Sequence, residues 1–201
     1  MRQETAGVTE TLIDSAKKEF LEHGFQNANL RRISSESGVS TGSIYTRFGD
    51  KAGLFSAVVK PAADGLMKMY LDSITAATKS GDPAEATSQG DEGTELVLKY
   101  IYENFDVFKL IFCHSAGTEY EHYFDELAEI EEKYYREFVK QFSRRENMVS
   151  DFFIHVICRT GWSYIYEVVS HDLSYDEAQV FMKSIREFCF AGWGKVLGAE
   201  L

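Results

Sequence analysis

Apolar residues recur along this chain at intervals of three and four and nowhere in sustained alternation, so the pattern predicts an all-α protein. Leu12, Ile13, Ala16 and Phe20 form one stripe. They predict a helix over about residues 9–22, ended by Gly24 with Phe25 folding back to the core. Leu30 and Ile33, then Val39 beyond Gly38, then Ile44 and Phe48 predict two short helices that close a small shared core. Gly38 suits the left-handed position that ends the first, and Ser40 caps the second. Two helices joined by a turn of about four residues containing Gly form a helix-turn-helix. With Val39, Ile44 and Phe48 inward, Thr41, Gly42, Ser43, Thr46 and Arg47 face outward, and none is a large apolar residue. Small hydroxyl side chains at the start of such a helix let its backbone approach base edges in a DNA groove.

A connecting helix is expected from Lys51, capped by Asp50 and packed through Leu54, Phe55, Val58 and Val59. Pro61 predicts a kink at Lys60 or a split, and so a hinge. Leu66, Met67, Tyr70, Leu71 and Ile74 resume the period, whereas Lys79 to Gly93 lacks any large apolar residue and reads as a mobile surface loop. From Thr94 the run Leu96, Val97, Tyr100, Ile101, Phe105, Phe108, Ile111 and Phe112 leads to a break at Ser115-Ala116-Gly117. Thr118 with Glu121 reads as a capping box opening a long helix through Phe142, and Ser150 caps the helix after it. Ser174 with Glu177 opens the last. That helix carries two apolar stripes, Ala178, Phe181, Met182, Ile185, Cys189 and Val196 on one side and Phe190, Trp193 and Leu197 on another. Two stripes need two partners, so the last two helices are read as a homodimer interface, a four-helix bundle across a two-fold axis.

Composition alters this picture in few places. The 201 residues, 44% hydrophobic and 14% aromatic, suffice for one large or two small cores. Cys113, Cys158 and Cys189 sit in apolar helical patterns and read as reduced thiols of a cytoplasmic protein; only Cys158 has an evident cationic neighbour, Arg159. No apolar run resembles a signal sequence or approaches the roughly 18 residues needed to span a bilayer, so no membrane partner is expected. The net charge of −11 is unevenly placed. Residues 1–60 hold 8 Lys and Arg against 7 Asp and Glu, and the remainder holds 13 against 25. An almost neutral head on an acidic body binds DNA through a few oriented phosphate contacts, with weak background affinity.

An enzyme is the different-class reading, and the sequence lacks its signatures: no Gly-x-Ser-x-Gly, no phosphate loop, no zinc-binding Cys pair, no paired Glu-x-x-His. No catalytic residue, metal site or cofactor is therefore expected. His114, Glu119, His122 and Glu126 straddle a break without a compact ligand motif and read as hydrated acidic surface. An acidic helical interaction module is the other alternative.

Gly38-Val39-Ser40, Gly42-Ser43-Ile44-Tyr45, Phe48 and Lys51 resemble the signature of the N-terminal DNA-binding domain of the TetR family of transcriptional regulators. The resemblance covers residues 9–55, about a quarter of the chain. It implies a three-helix DNA-binding domain over 1–55 and a helical ligand-binding and dimerisation domain over 56–201. It further implies that Thr41, Gly42 and Ser43 approach bases, that Tyr45 and Lys51 grip phosphates, and that Thr46 and Arg47 lie along the groove wall. Arg47 stands where the family more often has an aromatic residue or His, and Ala28-Asn29 where it has Thr or Ser; Asn29 can still cap a helix and meet a phosphate. A dimeric repressor on an inverted-repeat operator, released by a small-molecule effector, is the implied function. The implied pocket lies in the body, with Met67, Tyr70, Phe105, Phe108, Tyr134, Phe138, His155, Arg159 and Trp162 as candidates. His155, Arg159 and Trp162, four and three apart on an apolar helix, need partners when buried, supplied by a core network or by an acidic or aromatic ligand.

Overall fold

A computed structural model describes residues 7–77, 83–143 and 149–198. Among these the regular structure is entirely helical: α1 (Val8–Asn27), α2 (Leu30–Ser37), α3 (Thr41–Phe48), α4 (Lys51–Ala77), α5 (Pro83–Glu103), α6 (Phe105–Cys113), α7 (Tyr123–Phe142), α8 (Asp151–Ser170) and α9 (Tyr175–Leu197). Contacts divide the chain into a head, residues up to Asp64 with Asn104–Glu121, and a body, Gly65–Glu103 with the residues from His122 onward. The division falls nine residues beyond the 55/56 boundary drawn from the sequence and adds α6 to the head.

In the head, Leu12, Ala16, Phe20, Ile33, Ile44, Leu54 and Phe55 are fully buried. Each of the Leu, Ile and Phe side chains contributes roughly 1.5–3 kcal/mol by leaving water. Phe55 stands edge-on to both Phe20 and Phe25, with ring centroids 5.0 and 5.4 Å apart. Phe25 reaches that core because Gly24, at φ 69° and ψ 165°, breaks the course of α1. The freed Phe25 N–H donates to the His114 carbonyl at the end of α6. Gly38, at φ 68°, turns α2 into α3.

Several local expectations meet their side chains. Asn29, Ser40, Ser150 and Ser174 cap α2, α3, α8 and α9, the last in a reciprocal capping box with Glu177, and Asp50 accepts the Gly53 N–H at 2.7 Å. Others are corrected. Thr118 and Glu121 do not open a helix: Thr118 Oγ1 donates to the Ser115 carbonyl and Glu121 accepts the Gly117 N–H, closing a turn, and α7 begins later at Tyr123. The apolar run from Thr94 is two helices, because Asn104 leaves helical geometry at ψ 33°. Residues 83–93 are helical rather than loop, with Pro83 in the first position of α5, where it loses no hydrogen bond; residues 78–82 lie outside the described residues. Nor is α4 split, since it runs through Pro61 from Lys51 to Ala77.

The body packs α7 against α8 and α5 against α9. Leu127, Ala128, Ile165, Val168, Val169 and Ala178 are buried there. Gly65 lies where a methyl group would stand 2.0 Å from the Tyr100 hydroxyl, so its lack of a side chain lets α4 and α5 approach.

Candidate functional site

Two features of the structure offer chemistry, one in each unit. In the head, α3 presents a small polar face. Ile44 faces the core, while Gly42, Tyr45 and Thr46 are exposed, Tyr45 by 55%. Thr41 and Ser43 are half-buried beside them. Ser40 Oγ accepts the Ser43 N–H at 3.2 Å and lies 3.1 Å from the Ser43 hydroxyl, which fixes the first turn. Thr46 Oγ1 donates to the Gly42 carbonyl at 2.9 Å, holding its methyl group outward. No acidic residue occupies the first turn of α3, so its positive end is left for an anion, whereas Asp50 meets the start of α4 and Glu19 the start of α2.

The remaining head candidates have structural partners as well. Lys51 donates to the carbonyls of Gln26 and Ala28 at 3.0 and 3.2 Å, and its ammonium stands 4.7 Å from the Phe25 ring centroid. Two of its three N–H groups thus tie the turn between α1 and α2 to α4, leaving one for a phosphate. Arg47 bonds Thr9 Oγ1 at 3.2 Å, reaching back to α1. Asn29 is exposed, its side-chain oxygen accepting from Arg31 N–H and its own N–H donating to Glu19.

Glu19 and Arg32 were not singled out as partners by the sequence. Buried Glu19 accepts from Arg32 Nε and Nη2 at 2.6–3.0 Å and from the Asn29 N–H at 2.7 Å. Burial raises its pKa, but the Arg32 hydrogen bonds, the Asn29 N–H and the charges of Arg32 and His23 outweigh it, and the net result is a lowered value. Arg32 is therefore engaged in holding α2 on α1. The sequence signal was available only as Glu19 on the edge of an apolar stripe.

The body holds a cavity of about 460 Å³ walled by α4, α5, α7, α8 and α9. Tyr70, Tyr134, Phe138 and Trp162 line it; Met67, Phe105, Phe108, His155 and Arg159 do not. Phe105 and Phe108 belong to α6 and so to the head, where Phe108 is fully buried. His155 and Arg159 instead join a polar network between α7 and α8. His155 Nδ1 lies 2.8 Å from Glu132, which also accepts from Arg136, and Arg159 donates from Nε to His155 Nε2 and from Nη1 to Asp125. With Nε2 accepting, the imidazole proton is assigned to Nδ1. Arg159, so engaged, does not activate Cys158, whose buried thiol is pushed up by desolvation and by the nearby Glu131 and Glu132. His122 lies 3.5 Å from Asp125 in an exposed pair.

Sequence reasoning passed over Glu131, Tyr135, Phe153, Cys189 and Trp193, which complete the wall. Tyr135 and Trp193 stack face to face at 5.0 Å, and Phe153 meets Trp193 edge-on. Trp193 and Leu197 thus face inward, which removes them from the predicted dimer stripe. The exposed apolar residues of the last two helices are Phe152, Val156 and Tyr166 on α8 and Val180, Phe188 and Phe190 on α9. No described helix is long and apolar enough to cross a membrane.

Residues 12–58 match the family profile of bacterial regulatory proteins, TetR family. Over 52 residues the chain is 38% identical to the transcriptional repressor AcnR of Corynebacterium glutamicum, a match covering 26% of this chain and 28% of that protein's length. Over nearly its whole length it is similar in fold to solved structures. The TetR-family regulator PfmR of Thermus thermophilus superposes with a TM-score of 0.62 at 18% identity, covering 94% of this chain and 98% of that one. The fatty acid degradation regulator FadR of Bacillus halodurans superposes at 0.55 with 17% identity, covering 96% and 99%. Residues 12–58 of this chain thus resemble the DNA-binding head of the TetR family of bacterial regulatory proteins, and the chain has the fold seen in a solved regulator of that family.

Proposed function

We propose that this chain is a homodimeric, sequence-specific repressor that binds an inverted-repeat operator and is released by a small molecule in the body cavity. The observation that carries the reading is the pairing, in one chain, of an exposed small-residue α3 face with a half-open, aromatic-walled cavity. Thr41, Gly42 and Ser43 approach base edges, Tyr45, Asn29 and Lys51 meet phosphates, and Thr46 and Arg47 flank them, as in the family. AcnR, similar over the head alone, is by name a repressor. No catalytic role is assigned to the cavity, and the cytoplasm is the expected location of such a regulator.

Pairing uses the face of α9 that bears Val180, Ser184, Phe188 and Gly192, all exposed and four residues apart, together with Phe152, Val156 and Tyr166 of α8. A methyl group at Gly192 would meet open space, so a partner helix can come close there. Two recognition helices related by a two-fold axis then read half-sites about one helical turn of DNA apart or a multiple of it.

Selection of bound duplexes from a random library, at stated moderate salt, tests the reading. An enriched inverted repeat is expected. Tyr45→Phe should weaken all sequences alike, whereas Thr41→Ala and Ser43→Ala should relax preference at particular base pairs by about 1–3 kcal/mol. The absence of any enriched sequence would overturn the repressor reading, and equal losses on every duplex for all three variants would overturn the division of roles.

A further inference from the structure

Among the described residues of the cavity wall, the charged side chains are Glu131 and Arg186, and of these Arg186 has a counter-charge. Arg186 is paired with Glu95 at 2.8 Å. Glu131 Oε2 is buried against Gly161 and makes no hydrogen bond, and Trp162 Nε1, also buried, makes none either. Water-filled sites satisfy such groups cheaply; an aromatic cavity does not. The carboxyl, its Oε2 without a partner, shares the wall with aromatic rings, Tyr70 from α4, Tyr134 and Tyr135 from α7, Phe153 and Trp162 from α8, and Trp193 from α9. Ring faces attract cations. A carboxylate ligand would find no free counter-charge on this wall, and residues 61–201, with 25 acidic against 13 basic side chains, draw cations toward the body.

We propose that the cavity takes a lipophilic amine, its ammonium paired with Glu131 and its hydrocarbon body laid against the aromatic wall. This rests on the body cavity being the effector site of the proposed repressor, and it names the effector's chemistry. The amine enters as its ammonium ion. Glu131, held neutral by burial with a pKa of about 8, then gives its proton to solvent. The other titratable groups facing it, the hydroxyls of Tyr70, Tyr134 and Tyr135 and the thiols of Cys158 and Cys189, are all raised by burial and stay protonated through this range. Glu131 is therefore the group that titrates on binding.

The test is isothermal titration calorimetry of the full chain with decylamine, 1-decanol and decanoic acid, in two buffers of different ionisation enthalpy. At pH 7 decylamine should bind more tightly than either congener and release about nine tenths of a proton. Its affinity should rise about tenfold from pH 6 to 7 and level off above pH 8. Glu131→Gln should abolish the proton release and weaken the amine at least about tenfold, with decanol unchanged. Decanoic acid or decanol binding as tightly as the amine, amine binding without proton release, or failure of the amine to bind would each overturn the proposal, and none of these readings depends on the variant folding. Amine binding that leaves the selected operator bound would instead remove the effector role and spare the ligand chemistry.

Discussion

Replacing Glu19 by Ala separates two readings of the head. If Arg32 were a phosphate ligand, Glu19 would be dispensable to the fold and its loss would strengthen DNA binding by freeing a cation. The structure indicates a structural role, in which Glu19 binds the Asn29 N–H at 2.7 Å and the Arg32 guanidinium through both Nε and Nη2, at 6% exposure of the carboxylate residue. Arg32 is half-exposed, so its pair is discounted for screening, and most of the cost comes from losing the charge-assisted hydrogen bond from the Asn29 N–H to the buried Glu19 carboxylate. That leaves about 2 kcal/mol for Glu19→Ala, within the range for a hydrogen bond to a charged group. Hydrogen exchange read by mass spectrometry suits a chain of two units better than a global melt. Amides of α2 should exchange about 30-fold faster in the variant, with those of α8 unchanged. The pH dependence has a defined sign. Because the folded Glu19 pKa lies below its ordinary value, its contribution is present above pH 4.5 and is lost as pH falls through the depressed folded value, so variant and parent converge in acid. Exchange of α2 within about threefold of the parent at pH 7, with tighter DNA binding, would refute the structural assignment.

Two further perturbations test packing. A methyl group on Gly53 would stand 1.9 Å from the Phe48 carbonyl oxygen, a backbone atom, so Gly53→Ala should shift the turn between α3 and α4, destabilise the head by about 1–3 kcal/mol and weaken DNA binding; an unchanged urea midpoint and affinity would contradict the close approach. Phe188→Glu should yield monomers of 22.8 kDa by light scattering while Trp193→Ala remains dimeric, and the reverse outcome would place the interface on the stripe first read from the sequence.

Legibility followed the range of the interaction. Asn29, Ser40, Asp50, Ser150 and Ser174 were readable because a cap needs a side chain and an N–H two or three residues away. The same letters at Thr118 and Glu121 close a turn, their side chains bonding the Ser115 carbonyl and the Gly117 N–H behind them. The α3 face was legible from Ile44 alone, which, once inward, sends its polar neighbours outward. The cavity was not. Periodicity shows that Phe108 and Phe138 are both apolar, but which void they border depends on the assignment of α6 to the head and α7 to the body. His155 and Arg159 found Glu132 and Asp125 on α7, partners that spacing along α8 cannot reveal. Glu131, within Glu129-Ile130-Glu131-Glu132, reads as part of a solvated face, and only the positions of α4 and α8 turn it into the wall of a cavity.

The helix α4 carries both Lys51, which ties down the turn before α2, and Tyr70, which lines the cavity, so its stiffness bears on the proposed release of DNA. Pro61 stands between them without breaking the helix. It lacks the N–H that would bond the Ala57 carbonyl, and the small side chain at that position helps admit the ring. One missing bond lowers the cost of bending there. Pro61→Ala restores it, and the intrinsic gain of up to about 3 kcal/mol is offset by less than about 1 kcal/mol for the freer unfolded chain. The variant should therefore slow exchange of the amides around residues 57–65, bind the selected operator as before, and need more decylamine to release it. Faster exchange in that segment would mean that the ring's own packing supports α4, and release at unchanged decylamine concentration would show that bending at Pro61 takes no part in the response.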